Sequence, residues 1–474
     1  MKSEIVVVGS GPGGAVTACL MAEAGRQVLL VEEGPALGQD SCRPFSVPEM
    51  RQKYRNGGLT AAMGRCKIPY VEGRVVGGGS EVNSGLYHRT PDAVLDDWER
   101  RFGLQGASVP EMRPHFEQCE KDLSVGPGPG RVPDPVAGLL AGARRAGLSG
   151  FEVPRMVAHL EAKNPSGVPR WQRRSMSRTY IPRALQAGGA LLADTRILSL
   201  GSDGQDGWVL RGEGPKGPVE IAAGCVFLAC GAVQTPALLR RSGLSGAAGR
   251  TLSLQPMLKA VAEFDGPVNS LRLGVPPHQV KGDSPPLSLG CSISSPPNLA
   301  MILAEHPEHV RALGGGWERM LAFYSMVSGS GNGSVAVVPG FRDPVVRYRV
   351  SDADLKGLSD GMTRLSELLF DAGARRVYPA IAGLGRLSAR ADVERVAPAV
   401  SRDTLRLITL HLMSSCPMGE LPGASVVDSF GRVFGRKNLY VSDASILCGP
   451  LGVNPQGSIM AFARRNAMKF LGKL

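Results

Sequence analysis

Two residues near the end of the chain could act together on a hydroxyl group. His411 stands in the segment ITLHLMSSCPMG, and the pair Asn454–Pro455 opens an apolar run with helical spacing. A neutral imidazole, with an unperturbed pKa of about 6.5, can accept a proton near neutral pH. An asparagine amide can donate its N–H to an oxygen on which negative charge is growing. The pair therefore predicts proton removal from an alcohol, provided that the fold brings both side chains together.

The same residues also have structural interpretations. An isolated histidine usually lies on the surface or is satisfied in the core, which we expect of His88, His115, His159, His278, His306 and His309. Asn454 could cap the helix that follows it, a role compatible with catalysis. Cys416 has no second base nearby in the sequence, so we expect it to pack as a small hydrophobe.

At the opposite end, VVVGSGPGGAVTACLMAEAGRQVLLVEEGP has the order strand, glycine turn, helix, strand, acid. Gly9 permits the tight turn, Gly11 lets a pyrophosphate approach the backbone, and Gly14 lets helix and strand pack closely. The helix N-terminus would offer N–H groups to the anion. Glu32 ends the second strand, where an acid accepts a ribose hydroxyl and repels the 2′-phosphate of NADP. The segment predicts a bound dinucleotide without separating FAD from NAD.

The elements that must position these residues indicate an α/β fold. Residues 5–8 and 221–230 are apolar runs typical of buried parallel strands, and helical spacing follows the first over residues 12–25. Residues 352–373 form an amphipathic pattern that predicts a helix, with Ser351 or Asp352 as its cap.

Two other segments predict local structure between these elements. The small residues GAVQTP, which follow the strand at 221–230, predict a turn leading to a helix over 237–242. Glycine-punctuated alternation over 329–339 suits a hairpin.

The distribution of charge argues against a nucleic-acid-binding protein. The formal net charge of +12 comes mostly from single or paired arginines, without the long basic run or interleaved aromatics of a nucleic-acid-binding surface. The densest basic segment, PRWQRRSMSR at residues 169–178, is better suited to an anionic group such as a pyrophosphate.

The cysteines and the hydropathy of the sequence indicate in which cellular compartment the protein is expected. The nine cysteines are scattered and form no CxxC pair, so neither a disulfide framework nor a metal site is expected. The first strand begins at Glu4, which leaves no room for a signal peptide, and no apolar run is long enough to span a bilayer. We expect a cytoplasmic protein.

Separated blocks of the sequence resemble the glucose–methanol–choline (GMC) oxidoreductases, in the order of that family. GRVVGGGSEVNSGLY at residues 73–87 resembles the first signature of the family, and GAVQTPALLRRSGLS at 231–245 is similar to the second. RRSMSRTYIPRALQAGGALLADTRI at 173–197 resembles the approach to the central FAD-binding strand. HLMSSCPMG, together with SDASILCGPLGVNPQGSIMA, resembles the C-terminal catalytic block.

The resemblance implies a Rossmann-like FAD-binding domain interleaved with an α+β substrate domain built on an antiparallel sheet. A chain of 474 residues is too long for one simple core, which agrees with two domains. We assign residues 1–90, 166–255 and 401–474 to FAD binding, and residues 91–165 and 256–400 to the substrate.

The resemblance also implies roles for single residues. His411 would be the catalytic base and Asn454 its hydrogen-bond partner, while Pro455 and Gln456 would begin a helix aimed at the flavin. Asp443, with Ala444 beside it, would hold the ribityl or pyrophosphate region, although Asp443 could also be a turn residue. The residues that would line the isoalloxazine and phosphate path are Gly78, Gly79, Ser80 and Asn83. Val82 stands where some members carry a flavinylated histidine, which implies non-covalent FAD.

The implied function is oxidation of a CH–OH group to a carbonyl by hydride transfer to flavin N5. The electron acceptor, whether oxygen, a quinone or a protein, is left open. An FAD-containing lyase or photodecarboxylase of the same fold is the alternative. A subunit that binds a dinucleotide without catalysis is disfavoured, because it would not need both His411 and Asn454.

Substrate class is indicated only by composition. Aromatic residues make up 5% of the chain, whereas sugar sites often stack rings on aromatics. Apolar segments at residues 299–303 and 320–327 lie in the predicted substrate domain. We therefore expect a hydrophobic or natural-product alcohol rather than a hexose.

Overall fold

The computed structural model describes residues 1–38, 41–128, 132–160, 170–271, 273–283, 286–305, 307–421 and 423–474. Residue 169 of the basic segment and His306 lie outside the described residues. The helices are α1 (Pro12–Glu23), α2 (Val47–Lys53), α3 (Asp92–Phe102), α4 (Val109–Leu123), α5 (Asp134–Arg145), α6 (Tyr180–Gln186), α7 (Gly231–Arg241), α8 (Pro296–Ile302), α9 (Pro307–Ala312), α10 (Asp352–Asp371), α11 (Val396–Ala399) and α12 (Gln456–Phe470).

The strands are β1 (Lys2–Val8), β2 (Val28–Val31), β3 (Thr60–Ala62), β4 (Ile68–Tyr70), β5 (Ser149–Glu152), β6 (Val157–Leu160), β7 (Arg170–Arg173), β8 (Ala190–Leu192), β9 (Arg196–Ser202), β10 (Trp208–Gly214), β11 (Gly217–Leu228), β12 (Ser253–Leu254), β13 (Met257–Glu263), β14 (His278–Asp283), β15 (Pro286–Cys291), β16 (Met320–Met326), β17 (Asn332–Ala336), β18 (Val345–Arg349), β19 (Arg376–Pro379), β20 (Leu407–Ile408), β21 (Leu412–Met413) and β22 (Leu439–Val441).

The N-terminal glycine turn follows the carboxyl end of β1, a central strand of a mainly parallel sheet. Its strand order is β8-β2-β1-β11-β10-β9, and β22 pairs with the last residues of β11. Strands β8, β2, β1, β11 and β22 run parallel, whereas β9 and β10 add an antiparallel extension. The predicted strands at 5–8 and 221–230 are thus β1 and β11, and the predicted helix at 12–25 is α1. This sheet confirms the Rossmann-like architecture.

A second sheet is antiparallel throughout, in the order β19-β13-β16-β15-β14-β5, with β20 also pairing with β13. Helix α10 packs on one of its faces, through the apolar residues that predicted this helix. Ser351 caps α10 as expected, since its hydroxyl accepts a hydrogen bond from the Asp354 N–H. The predicted antiparallel sheet is confirmed, while the domain limits themselves stay a prediction.

The segment GAVQTP differs from its predicted structure. It forms the first turns of α7 instead of a turn before a helix, and Pro236 therefore lies inside that helix. A proline cannot donate to the carbonyl four residues earlier, which is that of Ala232. The Ser415 hydroxyl donates to the Ala232 oxygen instead, at 2.6 Å. A residue far away in sequence thus satisfies the group that the proline leaves unpaired.

The structure also shows the state of the cysteines and the apolar character of the helices. All nine cysteines are free thiols, and Cys416 is buried within the core, as expected of a packing residue. Within the described ranges, no helix combines the length and apolar character needed to cross a membrane.

Candidate active site

The first glycine turn is shaped by close backbone contacts. Gly9 has a φ of +105°, a conformation that glycine adopts without strain. A Cβ on Gly14 would lie 1.9 Å from the Gly9 oxygen, so α1 can pack on the turn only without a side chain there. Gly13, which sequence reasoning missed, has the same constraint, since its Cβ would lie 1.9 Å from the Ser442 oxygen at the end of β22. The doubled glycine after Pro12 was the only signal for it.

Gly11 is different, because no backbone constraint requires it to be glycine. Its φ of −63° and ψ of −176° suit any residue, and a Cβ there would meet no atom within 4 Å. The same holds for the space around Gly79. A Cβ on Gly78 would come within 2.8 Å of the Gly11 Cα, so the two glycine turns meet face to face. Gly11, Gly78 and Gly79 together form an open surface, here called the cradle, which side chains at these positions would fill.

Glu32 connects the first strand pair to both glycine turns. Its Oε2 accepts from the Ser10 N–H at 2.9 Å and the Ser10 hydroxyl at 2.7 Å, and its Oε1 accepts from the Gly34 N–H at 2.8 Å. The Ser10 hydroxyl in turn accepts from the Gly77 N–H at 2.9 Å. Burial raises the pKa of Glu32, against the lowering effect of these hydrogen bonds. The carboxylate holds the cradle in shape and keeps free acceptor capacity on Oε1.

Asp443 has a comparable position on the opposite wall. Its Oδ2 accepts from the Gly231 N–H at 2.8 Å and from the Thr235 hydroxyl, and its Oδ1 accepts from the Ser445 N–H at 2.8 Å. The carboxylate thus caps the start of α7 and fixes the turn that contains Ala444. Asp443 and Ala444 both line the cleft, so a structural role and cofactor contact are compatible.

The remaining predicted cofactor residues lie around the second glycine turn. The Ser80 hydroxyl donates to the Gly77 oxygen and accepts from the Met176 N–H, which anchors the turn from behind. The Asn83 amide donates to the Gln456 side-chain oxygen, so two candidates from opposite ends of the chain meet. From the basic segment, Arg173 pairs with Glu49 at 3.2 Å.

A cleft of about 1220 Å³, counting its open mouth, separates the two walls. Its lining includes Gly9, Gly11, Gly13, Glu32, Glu33, Arg55, Gly78, Gly79, Arg196, Asp443, Ala444, Pro455 and Ile459. Among the described residues, no side chain caps α1, so the first N–H groups of that helix are available to an anion. An open Gly11, a helix N-terminus and a cleft of this volume fit the pyrophosphate and flanking groups of FAD.

A charged network beside the cleft was not predicted. Arg55 makes a bidentate pair with Glu33, at 3.1 and 2.8 Å, and approaches Glu72 at 3.5 Å. Arg196 joins the network through Asp343 at 3.1 Å. No sequence motif marks these residues, because they come from five separate segments and meet only in the folded chain.

The two candidate catalytic side chains meet beside this cleft. His411 Nε2 lies 3.2 Å from Asn454 Nδ2. Leu410, Leu412 and Pro455, which flank the pair in sequence, line the cleft itself. Helix α12 begins at Gln456 as predicted, with Pro455 at its N-cap and no capping side chain in the described residues. Asn454 is therefore directed at His411 rather than used as a cap.

His411 is held neutral by its surroundings. Burial is the main reason why the pKa of its imidazole is lowered to about 3, with smaller electrostatic contributions from His88 and Lys281. Its backbone N–H donates to the Thr409 hydroxyl at 3.1 Å, whereas Nδ1 has no hydrogen-bond partner in the described part of the chain. The imidazole is thus available as a proton acceptor over the physiological pH range.

Three further polar residues stand next to this pair, and sequence reasoning missed all of them. Gln279 Nε2 lies 3.5 Å from Asn454 Oδ1 and donates to the Tyr324 hydroxyl at 2.8 Å. Lys281, on the same strand, donates to the Gly452 oxygen at 2.8 Å. His88, expected to be a surface or satisfied core residue, acts electrostatically on His411. The polar alternation of β14 was the available signal, but it did not show which face meets the site.

Comparisons with known proteins match this chain to three family models. The GMC oxidoreductase N-terminal domain matches residues 50–257, the C-terminal domain matches residues 332–463, and an NAD(P)-binding Rossmann-like domain matches residues 7–55. An uncharacterized GMC-type oxidoreductase of Sinorhizobium fredii is 35% identical, over 98% of this chain and 94% of the relative. A long-chain-alcohol oxidase of Arabidopsis thaliana is 25% identical, over 98% of this chain and 66% of the relative.

Solved structures show the same fold at lower sequence similarity. The crystal structure of pyridoxine 4-oxidase from Mesorbium loti superposes with a TM-score of 0.75 and 18% identity, covering 99% of each chain.

Proposed function

Because the chain belongs to the GMC oxidoreductase family, we propose that it oxidises a CH–OH group to a carbonyl with FAD as its cofactor. FAD, when bound, supplies the hydride acceptor. The observation that carries the proposal is the 3.2 Å approach of His411 Nε2 to Asn454 Nδ2 beside a glycine-lined cleft. Neither side chain has another evident task, because Asn454 does not cap α12 and His411 Nδ1 is unpartnered among the described residues.

In this proposal His411 removes the hydroxyl proton. In the tautomer that carries its proton on Nδ1, Nε2 is the acceptor that faces the Asn454 amide, and a substrate hydroxyl lying against both side chains can give its proton to Nε2. The Asn454 amide N–H then donates to the substrate oxygen, where negative charge develops. Gln279, at 3.5 Å from the Asn454 oxygen, orients the amide so that its N–H faces His411.

The cleft would hold FAD through groups of this chain alone. The open face of Gly11 and the N-terminus of α1 would receive the pyrophosphate, and the N-terminus of α12 would face the flavin ring. We propose that the cofactor is bound non-covalently, since the buried Val82 side chain offers no nucleophile at that position. The nine free thiols suit a reducing compartment, and we propose a cytoplasmic location.

We propose an apolar region on the substrate. Met257, Tyr324 and Met326 form a small hydrophobic cluster with Ile408 and Leu410, directly before His411. An apolar wall at this point would contact the carbon skeleton of the substrate. The relationship to a long-chain-alcohol oxidase supports the same class.

The experiment is anaerobic mixing of the yellow holoprotein with primary, secondary, sugar and sterol alcohols while visible absorption is recorded. Bleaching by an apolar alcohol is the expected result, and readmitted air would then separate an oxidase from a dehydrogenase. Bleaching by sugars alone would contradict the substrate class. A yellow protein that no alcohol bleaches would contradict alcohol oxidation and favour the lyase or photodecarboxylase chemistry.

A further inference from the structure

One face of the antiparallel sheet looks towards His411, and strand register defines its residues. One cross-strand row runs from Lys259 through Tyr324 and Gly290 to Gln279. The next row on the same face contains Met257, Met326, Ser288 and Lys281. Because alternate residues of a strand share a face, Gln279 and Lys281 point the same way. The packing of Met257, Tyr324 and Met326 on Leu410 identifies this as the face towards the site.

Lys281 is a largely buried amine to which no described residue supplies a counter-charge. Within the described ranges, its ammonium donates one hydrogen bond, to the Gly452 oxygen at 2.8 Å, out of the three that it can make. Burial alone lowers its pKa, to about 8, and among the described residues no carboxylate forms an ion pair with it. A buried charge is costly unless it is paired, so this amine has unused capacity for an anion.

The position of Lys281 relates it to the catalytic pair. Its partner Gly452 precedes Asn454 by two residues, and Gln279, two residues back along β14, approaches Asn454 itself. Two extended residues span about 7 Å. An anion on Lys281 would therefore lie about 7 Å from an oxygen bound at Asn454. That separation corresponds to a few carbon–carbon bonds within one small molecule.

His88 provides a second, independent indication of a ligand. Gln279 lies beside its ring, yet neither ring nitrogen has a well-formed hydrogen bond to a described residue, and both are shielded from solvent. Burial and the Lys281 charge lower the pKa of His88 to about 4, so its ring is neutral and can donate one N–H. A single cation with a neutral donor matches a monoanion such as a carboxylate better than a phosphate dianion.

We propose that the substrate is an alcohol carrying a carboxylate, and that Lys281 binds this carboxylate while the hydroxyl lies against both His411 and Asn454. The apolar cluster on the same sheet face contacts the chain that joins the two groups. The proposal rests on the proposed function and deepens it, since it adds an acidic head group to an otherwise apolar substrate. Lys281 is thus a specificity-determining residue, and it sets which end of the substrate faces His411.

Binding can be tested apart from turnover. The holoenzyme is titrated with hexanoate, octanoate, hexanol and octanol, and the perturbation of the flavin absorption bands and the melting temperature are followed. We expect both carboxylates to bind more tightly than the alcohols of equal length. Lys281→Met should weaken carboxylate binding by about 10–100-fold, the range of one charge-assisted hydrogen bond. Lys281→Arg should retain much of it.

Lys259 offers a matched control. It is a buried lysine on the same sheet face, and burial lowers its pKa to about 8, as it does for Lys281. Lys259→Met should leave carboxylate binding unchanged. Equal carboxylate affinity in the wild type and Lys281→Met, an equal loss in Lys259→Met, or no carboxylate binding by the wild type would each overturn the proposal.

Flavin reduction separates this proposal from the function on which it rests. ω-Hydroxyhexanoate should reduce the flavin faster than hexanol, and Lys281→Met should remove that preference. If carboxylates bind through Lys281 but neither compound reduces the flavin, the anion site stands and alcohol oxidation fails. If hexanol reduces the flavin as fast as ω-hydroxyhexanoate in both proteins, alcohol oxidation stands and the proposal of a carboxylate on the substrate is wrong.

Discussion

Gly11 and Gly13 belong to one glycine turn, yet an added side chain would have different consequences at the two positions. At Gly11 it would project into the open cleft, whereas at Gly13 its first carbon would overlap the Ser442 oxygen. The absence of a side chain at Gly11 leaves space for a ligand. At Gly13 it allows α1 to pack against the residue that follows β22. The GxGxxG pattern predicts Gly9, Gly11 and Gly14, but a pattern of spacing cannot show how close β22 comes to Gly13.

We expect Gly11→Leu to give a folded protein that does not retain FAD, because its side chain would occupy the cradle. Gly13→Leu should instead lower the free energy of unfolding of the apoprotein, since either β22 or α1 must move. Absorbance at the flavin bands and thermal unfolding of the purified apoproteins would distinguish the two effects. A yellow Gly11→Leu protein would contradict the assignment of the cradle.

The sequence predicted the two catalytic candidates but not their neighbours. His411 and Asn454 occur in segments that resemble a known family block, so the sequence alone identifies both. Lys281 and His88 occur in no such block, and only strand register and packing bring them to the same place. Glu32, Asp443 and Ser80 are predicted to contact the cofactor, and all three also form hydrogen bonds with other residues of the chain.

At the scale of elements, α7 shows why local sequence rules failed at one segment. Proline and small residues in GAVQTP favour a turn, but the Ser415 hydroxyl replaces the hydrogen bond that Pro236 cannot make. Strands and helices with strong apolar periodicity, such as β1, α1 and α10, were predicted correctly because their signal is local. The start of α7 depends on a contact across the fold.

Ser415→Ala should destabilise the protein by about 1–3 kcal/mol, because it leaves the buried Ala232 oxygen without a partner. Pro236→Ala in the same chain should recover part of this loss, since an alanine N–H can donate to that oxygen. Urea unfolding of the two single variants and the double variant forms the required cycle. Additive effects of the two substitutions would mean that the serine does not compensate for the proline.

At the scale of the whole molecule, histidines whose pKa is lowered by burial, His278 among them, connect stability to pH. Burial lowers the pKa of His88 and His115 to about 4 and that of His411 to about 3. Their unfolded pKa is about 6.5, so the unfolded chain binds more protons below that pH. The stability that they contribute is therefore complete above pH ~6.5 and declines as the pH falls towards the folded values.

His115→Gln tests this relation away from the cleft. Its urea midpoint should fall less steeply than that of the wild type between pH ~6.5 and pH ~4.5, because one proton-binding group of the unfolded chain has been removed. Parallel curves for the two proteins would show that His115 keeps its ordinary pKa in the folded state.

The rate of anaerobic flavin reduction in His411→Ala tests the central claim most directly. The rate is measured by rapid mixing with the best alcohol found for the wild type, with His115→Ala as a control for loss of a buried histidine. We expect a decrease of about 10²–10⁴-fold in His411→Ala, with FAD still bound, and little change in the control. An unchanged rate in His411→Ala would contradict the assignment of His411 as the base, and loss of FAD would show that its role is structural.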